Sequence, residues 1–275
     1  MRRALLLVAS AFLVLLPLQA LAIDEALTPG TVYQTDNSTS LFYLGLDWHR
    51  YIFPNEATYL SWYDDFNAVE YLEADIINQT PIGGLVTVKP DGETWVKIQS
   101  DPKVYAVSNG GILHWIPTED VAEAIGGSDW AARIIDLPDT VFASYTIGAP
   151  IDIFAPSLEF DAESAETISD DLALVEPETV SITNNETDRT VNVSHEQVTI
   201  YEGEVVHWSN NSTDWIPEVV LAGNGNDWGS GIIEGNGDFF ARFFTKGFYH
   251  YSCRSAYDTN VPINDSCGTI SVMEK

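Results

Sequence analysis

Phe248-Tyr249-His250-Tyr251-Ser252-Cys253 and Cys267-Gly268-Thr269-Ile270-Ser271-Val272 close this 275-residue chain, and both stretches read as β-strands. Side chains of a strand alternate between its two faces, so His250 and Cys253 fall on opposite sides. Upstream, Val198-Thr199-Ile200-Tyr201-Glu202-Gly203-Glu204-Val205-Val206-His207-Trp208-Ser209-Asn210-Asn211 and Ile216-Pro217-Glu218-Val219-Val220 supply the remaining strand signals of the same region. Cys253 and Cys267 are the only cysteines.

Together these segments resemble the plastocyanin/azurin-type cupredoxins over nearly all of residues 180 to 275. The resemblance implies an antiparallel Greek-key β-sandwich, with Trp208, Phe239, Phe243, Tyr249 and Tyr251 in its core or at its ends. It also shows where copper would sit. In that family the stretch after Trp-x-Asn-Asn usually reads Pro-His-Thr-Val, and its His is the first ligand; here Glu218 holds the place. The second His should follow the cysteine closely, where this chain has Ala256, Tyr257 and Asp258. A blue copper site needs two imidazoles and a thiolate, with a weak axial donor. One thiol and one carboxylate do not supply it, so the resemblance implies a sandwich that has lost its type 1 copper. The alternative is copper on a non-standard set of Glu218, Cys253 and Cys267 with His250 or His207. His207, mid-strand beside Trp208, reads as a half-buried or surface histidine.

Residues 1–22 have the three parts of a secretory signal. Arg2 and Arg3 form the basic start, Ala4 to Leu18 the apolar stretch, and Ala20-Leu21-Ala22 the small-x-small cleavage site. The mature chain then begins near Ile23, and the protein is secreted, periplasmic or at the cell surface, with no membrane span after cleavage. An uncleaved anchor is the alternative, although the apolar run falls short of the ~17 residues that cross a bilayer. In an oxidising compartment a single pair of cysteines reads as one disulfide. Closing the Cys253–Cys267 loop stabilises by about 3 kcal/mol in the chain-entropy treatment.

With 41 acidic against 12 basic residues the formal charge is −29. Such a surface repels nucleic acid and anionic membranes, and favours cations or basic partners. The acids are dense from Ile151 to Glu178, where Lys and Arg are absent and Pro156 and Pro177 interrupt the chain. Residues 148–178 therefore read as an extended acidic linker, in which Ile168 and Leu172 to Val175 could form a short helix or pair with an edge strand. The cupredoxin-like domain occupies 179–275.

Before the linker, residues 28–147 contain an internal repeat. Phe42-Tyr43-Leu44, a turn and Arg50-Tyr51-Ile52-Phe53-Pro54-Asn55-Glu56 match Val104-Tyr105-Ala106-Val107, the turn Asn109-Gly110-Gly111 and His114-Trp115-Ile116-Pro117-Thr118-Glu119. Each copy reads as two strands and a helix, a repeated ββα module, loosely similar to repeat modules of bacterial exported surface proteins. Asn55 and Thr118 are suited to cap the helices, and Gly126-Gly127 to stop the second. Tyr59, Trp62, Tyr63 and Phe66 fall at helical spacing and read as core. Between the copies, Gly83 to Gly92 and Thr94 to Ile98 read as a hairpin about Pro90-Asp91-Gly92.

The overall expectation is a mainly β protein with an α+β N-terminal part and a cupredoxin-like sandwich. Of five histidines, His49 and His114 stand at similar points of the repeat. The chain has no His-Glu-x-x-His, Cys-x-x-Cys, Gly-x-Ser-x-Gly or phosphate-loop motif. Gly223 to Asp227 and Glu234 to Asp238 hold oxygen donors but lack EF-hand spacing, and read as turns. No catalytic residue and no cofactor is expected. The functional expectation is an exported, non-catalytic surface or envelope-associated binding or structural protein, with an unidentified protein or envelope component, or cations, as partner. The alternative is a copper-binding cupredoxin in electron transfer or copper handling.

Overall fold

The computed structural model describes residues 20–22, 27–157, 165–185, 190–212, 217–223, 226–230, 233–255 and 267–275. They divide into an N-terminal unit of residues 23–179 and a C-terminal unit built mainly from residues 180–275. The first strand of the chain, β1 (Ala20–Ala22), belongs to the C-terminal unit.

The N-terminal unit is two copies of one sheet. In the first, β2 (Val32–Thr35), β3 (Leu41–Leu44) and β4 (Arg50–Ile52) form an antiparallel meander. After α1 (Glu56–Trp62), β5 (Val69–Leu72) lies parallel to β2; after α2 (Ala74–Ile77), β6 (Ile82–Leu85) lies parallel to β4. The strand order is β5-β2-β3-β4-β6. The second copy runs β7 (Trp95–Ile98), β8 (Asp101–Ser108), β9 (Ile112–Ile116), α3 (Glu119–Gly126), β10 (Ile134–Leu137), α4 (Asp139–Phe142) and β11 (Thr146–Ile147). Its order, β10-β7-β8-β9-β11, repeats the first strand for strand.

The register repeats as well. Val32 opposes Tyr43 as Trp95 opposes Ala106, and Tyr43 opposes Tyr51 as Ala106 opposes His114. Val32 pairs with Val69 as Trp95 pairs with Ile134. Each copy is thus a five-stranded βββαβαβ unit rather than the expected ββα. The strands missing from that expectation are β2 and the parallel edge strands β5, β10 and β11, each of four residues or fewer.

Two further expectations change. Pro90-Asp91-Gly92 does not join a hairpin, because β6 and β7 lie in different sheets. The Asp91 carboxylate instead accepts from the Glu93 and Thr94 amides, each at 2.9 Å, and Gly92 takes a φ of 70° at the crossing between copies. Nor are His49 and His114 equivalent. The register puts His114 opposite Ala106 in the place of Tyr51, whereas His49 precedes β4 and pairs with Asp47 at 3.0 Å.

Local signals at the helices behave as their chemistry requires. Asn55 accepts from the Thr58 amide at 2.8 Å and Thr118 from the Val121 amide at 3.2 Å, each satisfying a donor at a helix start. Gly127, at φ 76°, ends α3. The turn Asn109-Gly110-Gly111 joins β8 to β9, with φ of 74° and 67° at its glycines.

The acidic segment after the second copy is held by burial and hydrogen bonds. α5 (Ile168–Asp171) is a short helix closed by a capping box of Thr167 and Asp170. Ile168 joins the core of the first copy, and the Ser169 and Tyr43 hydroxyls lie 2.8 Å apart. Asp171, 4% exposed, accepts from the Thr87 hydroxyl at 3.0 Å and the Gly110 amide at 2.8 Å. One carboxylate therefore ties α5 to the end of the first copy and to the hairpin turn of the second.

Burial raises the pKa of Asp171, and its two hydrogen bonds offset this only in part. A carboxyl raised on folding contributes stability that is fully present below its unfolded pKa and is lost as pH rises through the folded value. Asp171→Asn, which keeps an acceptor without the charge, is expected to gain stability relative to the parent as pH rises through that window. Denaturation of both proteins across the acid range checks this; a constant or shrinking difference contradicts it.

In the C-terminal unit β12 (Glu178–Asn185), β13 (Thr190–Val193), β14 (Gln197–Tyr201), β15 (Val205–Asn210), β16 (Pro217–Gly223), β17 (Asn226–Gly229), β18 (Asp238–Phe243), β19 (Gly247–Ser255) and β20 (Gly268–Met273) make two sheets. Their orders are β1-β18-β15-β12-β13 and β14-β20-β19-β16-β17. Trp208 of the first meets Tyr251 of the second edge-to-face at 5.7 Å, and Phe243 meets Tyr249 at 5.0 Å. With Phe239, these expected core residues are all buried. The fold is mainly β, with a sandwich at its C-terminal end. Its second sheet is mixed, because β14 runs parallel to β20. Three residues assigned to the signal, Ala20–Ala22, pair antiparallel with β18; residues 1–19 lie outside the described residues.

Candidate functional site at the paired cysteines

β19 brings the first cysteine to the inside of the sandwich. Tyr249, Tyr251 and Cys253 are buried along one face, while Phe248 and His250 are exposed on the other. The strand is held between β16, where Val219 opposes Cys253, and β20, where Gly268 opposes Tyr251. Cys267 enters from just before β20, its amide donating to the Tyr251 carbonyl at 2.8 Å. Gly268 has no side chain at a point where the Tyr251 ring fills the space a Cβ would take. That close approach lets the Tyr251 hydroxyl reach the His195 carbonyl at 2.8 Å.

The two sulfurs meet. Cys253 is 2% exposed and Cys267 7%, both as thiols, and they hydrogen-bond to each other. That shared bond holds the Cys253 thiol protonated well above the ordinary thiol range, with burial adding to it, and lowers the pKa of Cys267. Chemically, two adjacent buried thiols are the arrangement from which a disulfide forms once an oxidant is supplied. The pair lies under Tyr251, whose hydroxyl burial keeps un-ionised, with further repulsion from the two sulfurs when charged.

The other metal candidates are not gathered around this pair. His250 is on the outer face, its Nδ1 3.4 Å from the Thr269 hydroxyl. His207 is half-buried, its Nδ1 3.0 Å from the Thr179 hydroxyl. The Glu218 backbone pairs with Arg254 on β16; its side chain, like residues 256–258, lies outside the described residues. Among the described residues no three His, Cys, Asp or Glu side chains come together as a metal group.

Sequence reading missed the polar supports of the sandwich. Asn210, fully buried, donates to the Ile233 and Glu234 carbonyls at 3.1 and 3.0 Å and accepts from the Ser212 amide at 3.0 Å. It pins the loop before β18, where Asn236 turns at φ 58° and Gly237 donates to the Glu234 carbonyl at 2.8 Å. The Asn210-Asn211 pair was the available signal. Arg242, 1% exposed, donates to the Gly203 carbonyl, and nothing in its strand pattern marks it as buried.

No known sequence family matches the chain, and no curated protein does. Among solved structures it is similar to cupredoxins over about a third of its length. The reduced Cu(I) form at pH 4 of a proline-to-glycine mutant of amicyanin shares 16% identity, covering 37% of this chain and 88% of that one, at a TM-score of 0.27. Amicyanin from Paracoccus versutus shares 19%, covering 37% and 87%, at 0.27. The purple cupredoxin from Nitrosopumilus maritimus shares 21%, covering 35% and 99%, also at 0.27.

Proposed function

We propose that this is an exported, non-catalytic protein of the cell surface or envelope, whose duplicated N-terminal module binds a partner and whose cupredoxin-like sandwich is closed by a Cys253–Cys267 disulfide where copper proteins hold metal. The observation that carries this reading is the burial of the two sulfurs against each other with His250 on the far face of the same strand. A bridge consumes the one thiolate a type 1 site requires. The acidic surface and the leader-like first 22 residues support export to a setting with basic partners or abundant cations.

Copper handling is the second reading, favoured by two free thiols buried side by side. Thiolates are soft ligands that select Cu(I). The two readings separate on adding Cu(I) to protein exported by its host and removing unbound metal. The bridged protein retains no copper, and stoichiometric retention of Cu(I) would overturn the first reading in favour of the second.

A further inference from the structure

The two copies of the N-terminal unit have cores built from matching positions, and the second carries a cleft where its residues differ from the first. Val32 and Tyr43 of the first copy stand where Trp95 and Ala106 stand in the second, directly opposed in both. Small facing large has become large facing small, so that pair keeps its volume, and Gly126 leaves room for the Trp95 ring. The exchange of Tyr59 for Ala122, each the fourth residue of its helix, has no such partner. In the first copy the Tyr59 ring is fully buried, edge-on to Phe53 at 5.2 Å and stacked on Tyr63 and Phe66 at 4.9 and 4.7 Å. In the second, Ala122 and Ile116, the counterpart of Phe53, instead line an open cleft of about 310 Å³.

The other walls of that cleft suit a ring. Trp115 and Trp130 supply indoles, and Pro102 and Pro117 supply flat apolar surfaces beside them. Trp115 stays 37% exposed, and the Lys103 ammonium rests 5.5 Å from its ring centroid. Glu119 stands among the lining residues. The volume is at the small end for ligand sites, which run from about 300 Å³ upward, and fits one side chain better than a cofactor.

We infer that this cleft receives an aromatic side chain from a basic partner polypeptide, taking in trans the place that Tyr59 fills in the first copy. The aromatic ring is specified by the first copy, which holds one at the same point of the same fold. The basic character follows from the charge of −29, which attracts a cationic segment and opposes a second copy of this chain. The inference rests on reading the module as a binding unit and is independent of the cysteine bridge, so either can fail alone.

The test uses the full chain and the peptide acetyl-Lys-Lys-Tyr-Lys-Lys-amide, titrated by calorimetry or NMR. Binding in the sub-millimolar range is expected, and at least about tenfold weaker binding when the peptide's Tyr is replaced by Ala. Ala122→Tyr, which fills the cleft as the first copy does, should lose at least about tenfold in affinity, and so should Trp115→Ala, which leaves the buried core in place. Equal binding of the Tyr and Ala peptides would reduce the interaction to charge, and unchanged binding by both variants would place it elsewhere. Either overturns the inference, as does failure of the Tyr peptide to bind. Free 4-methylphenol binding as tightly as the peptide would overturn the polypeptide partner in favour of a small aromatic ligand.

Discussion

Tyr59→Ala is expected to lower the stability of the N-terminal unit by about 3–5 kcal/mol, the range for emptying an aromatic site in a packed core. Tyr59 is fully buried, and its hydroxyl also donates to the Asp65 carbonyl at 2.8 Å. Its ring is shared by three aromatic neighbours, none of which can follow it without leaving another. Chemical denaturation of the full chain should show the module's transition moving to lower denaturant. A shift below about 1 kcal/mol would mean that the cavity collapses, and that the two copies are less differently packed than their residues indicate.

Cys253→Ser is expected to cost the oxidised protein about 3 kcal/mol, within the roughly 2–5 kcal/mol range for loss of a native bridge in a small exported domain. The closed loop runs from Cys253 to Cys267; opening it returns entropy to the unfolded chain. The substitution also puts a hydroxyl at a site that is 2% exposed, which adds to the loss. Reductant separates these contributions. It should destabilise the parent by the bridge's share and leave the variant where it is. A parent indifferent to reductant would carry no bridge, whatever the variant shows.

The extent to which the residues announced this structure follows from the range of the interactions involved. The sandwich was legible because β19 and β20 alternate clearly and β19 carries large aromatics, so Tyr249, Tyr251 and Cys253 could be placed inside without knowing their neighbours. The caps at Asn55 and Thr118 were legible because each acts within three residues. The edge strands β5, β10 and β11 were not, since short parallel pairs are specified by what lies beside them rather than by period. Pro90-Asp91-Gly92 carried a genuine turn signal, but a turn does not say whether the strands on either side pair. Asp171 was hidden for a different reason. In a run of acids it looks like its solvated neighbours, and only the fold brings the Thr87 hydroxyl and the Gly110 amide to it.

At the cysteines, sequence placed His250 and Cys253 on opposed faces, while the meeting of the two sulfurs became visible only with β20 in place. The matched cores of the two copies were legible as a repeat in Pro54 and Pro117 and the residues around them. The Tyr59–Ala122 exchange acquired meaning once the opposed pairs Val32–Tyr43 and Trp95–Ala106 showed which difference was compensated and which was not.

Whether the sandwich is bridged or metallated is decided by a thiol count on protein recovered from the exported fraction of its host, unfolded without reductant and alkylated. Neither cysteine should react, both should react after reduction, and no copper should accompany the chain. Two reactive thiols in the unreduced protein, with copper bound one to one, would contradict the bridge and the loss of metal together.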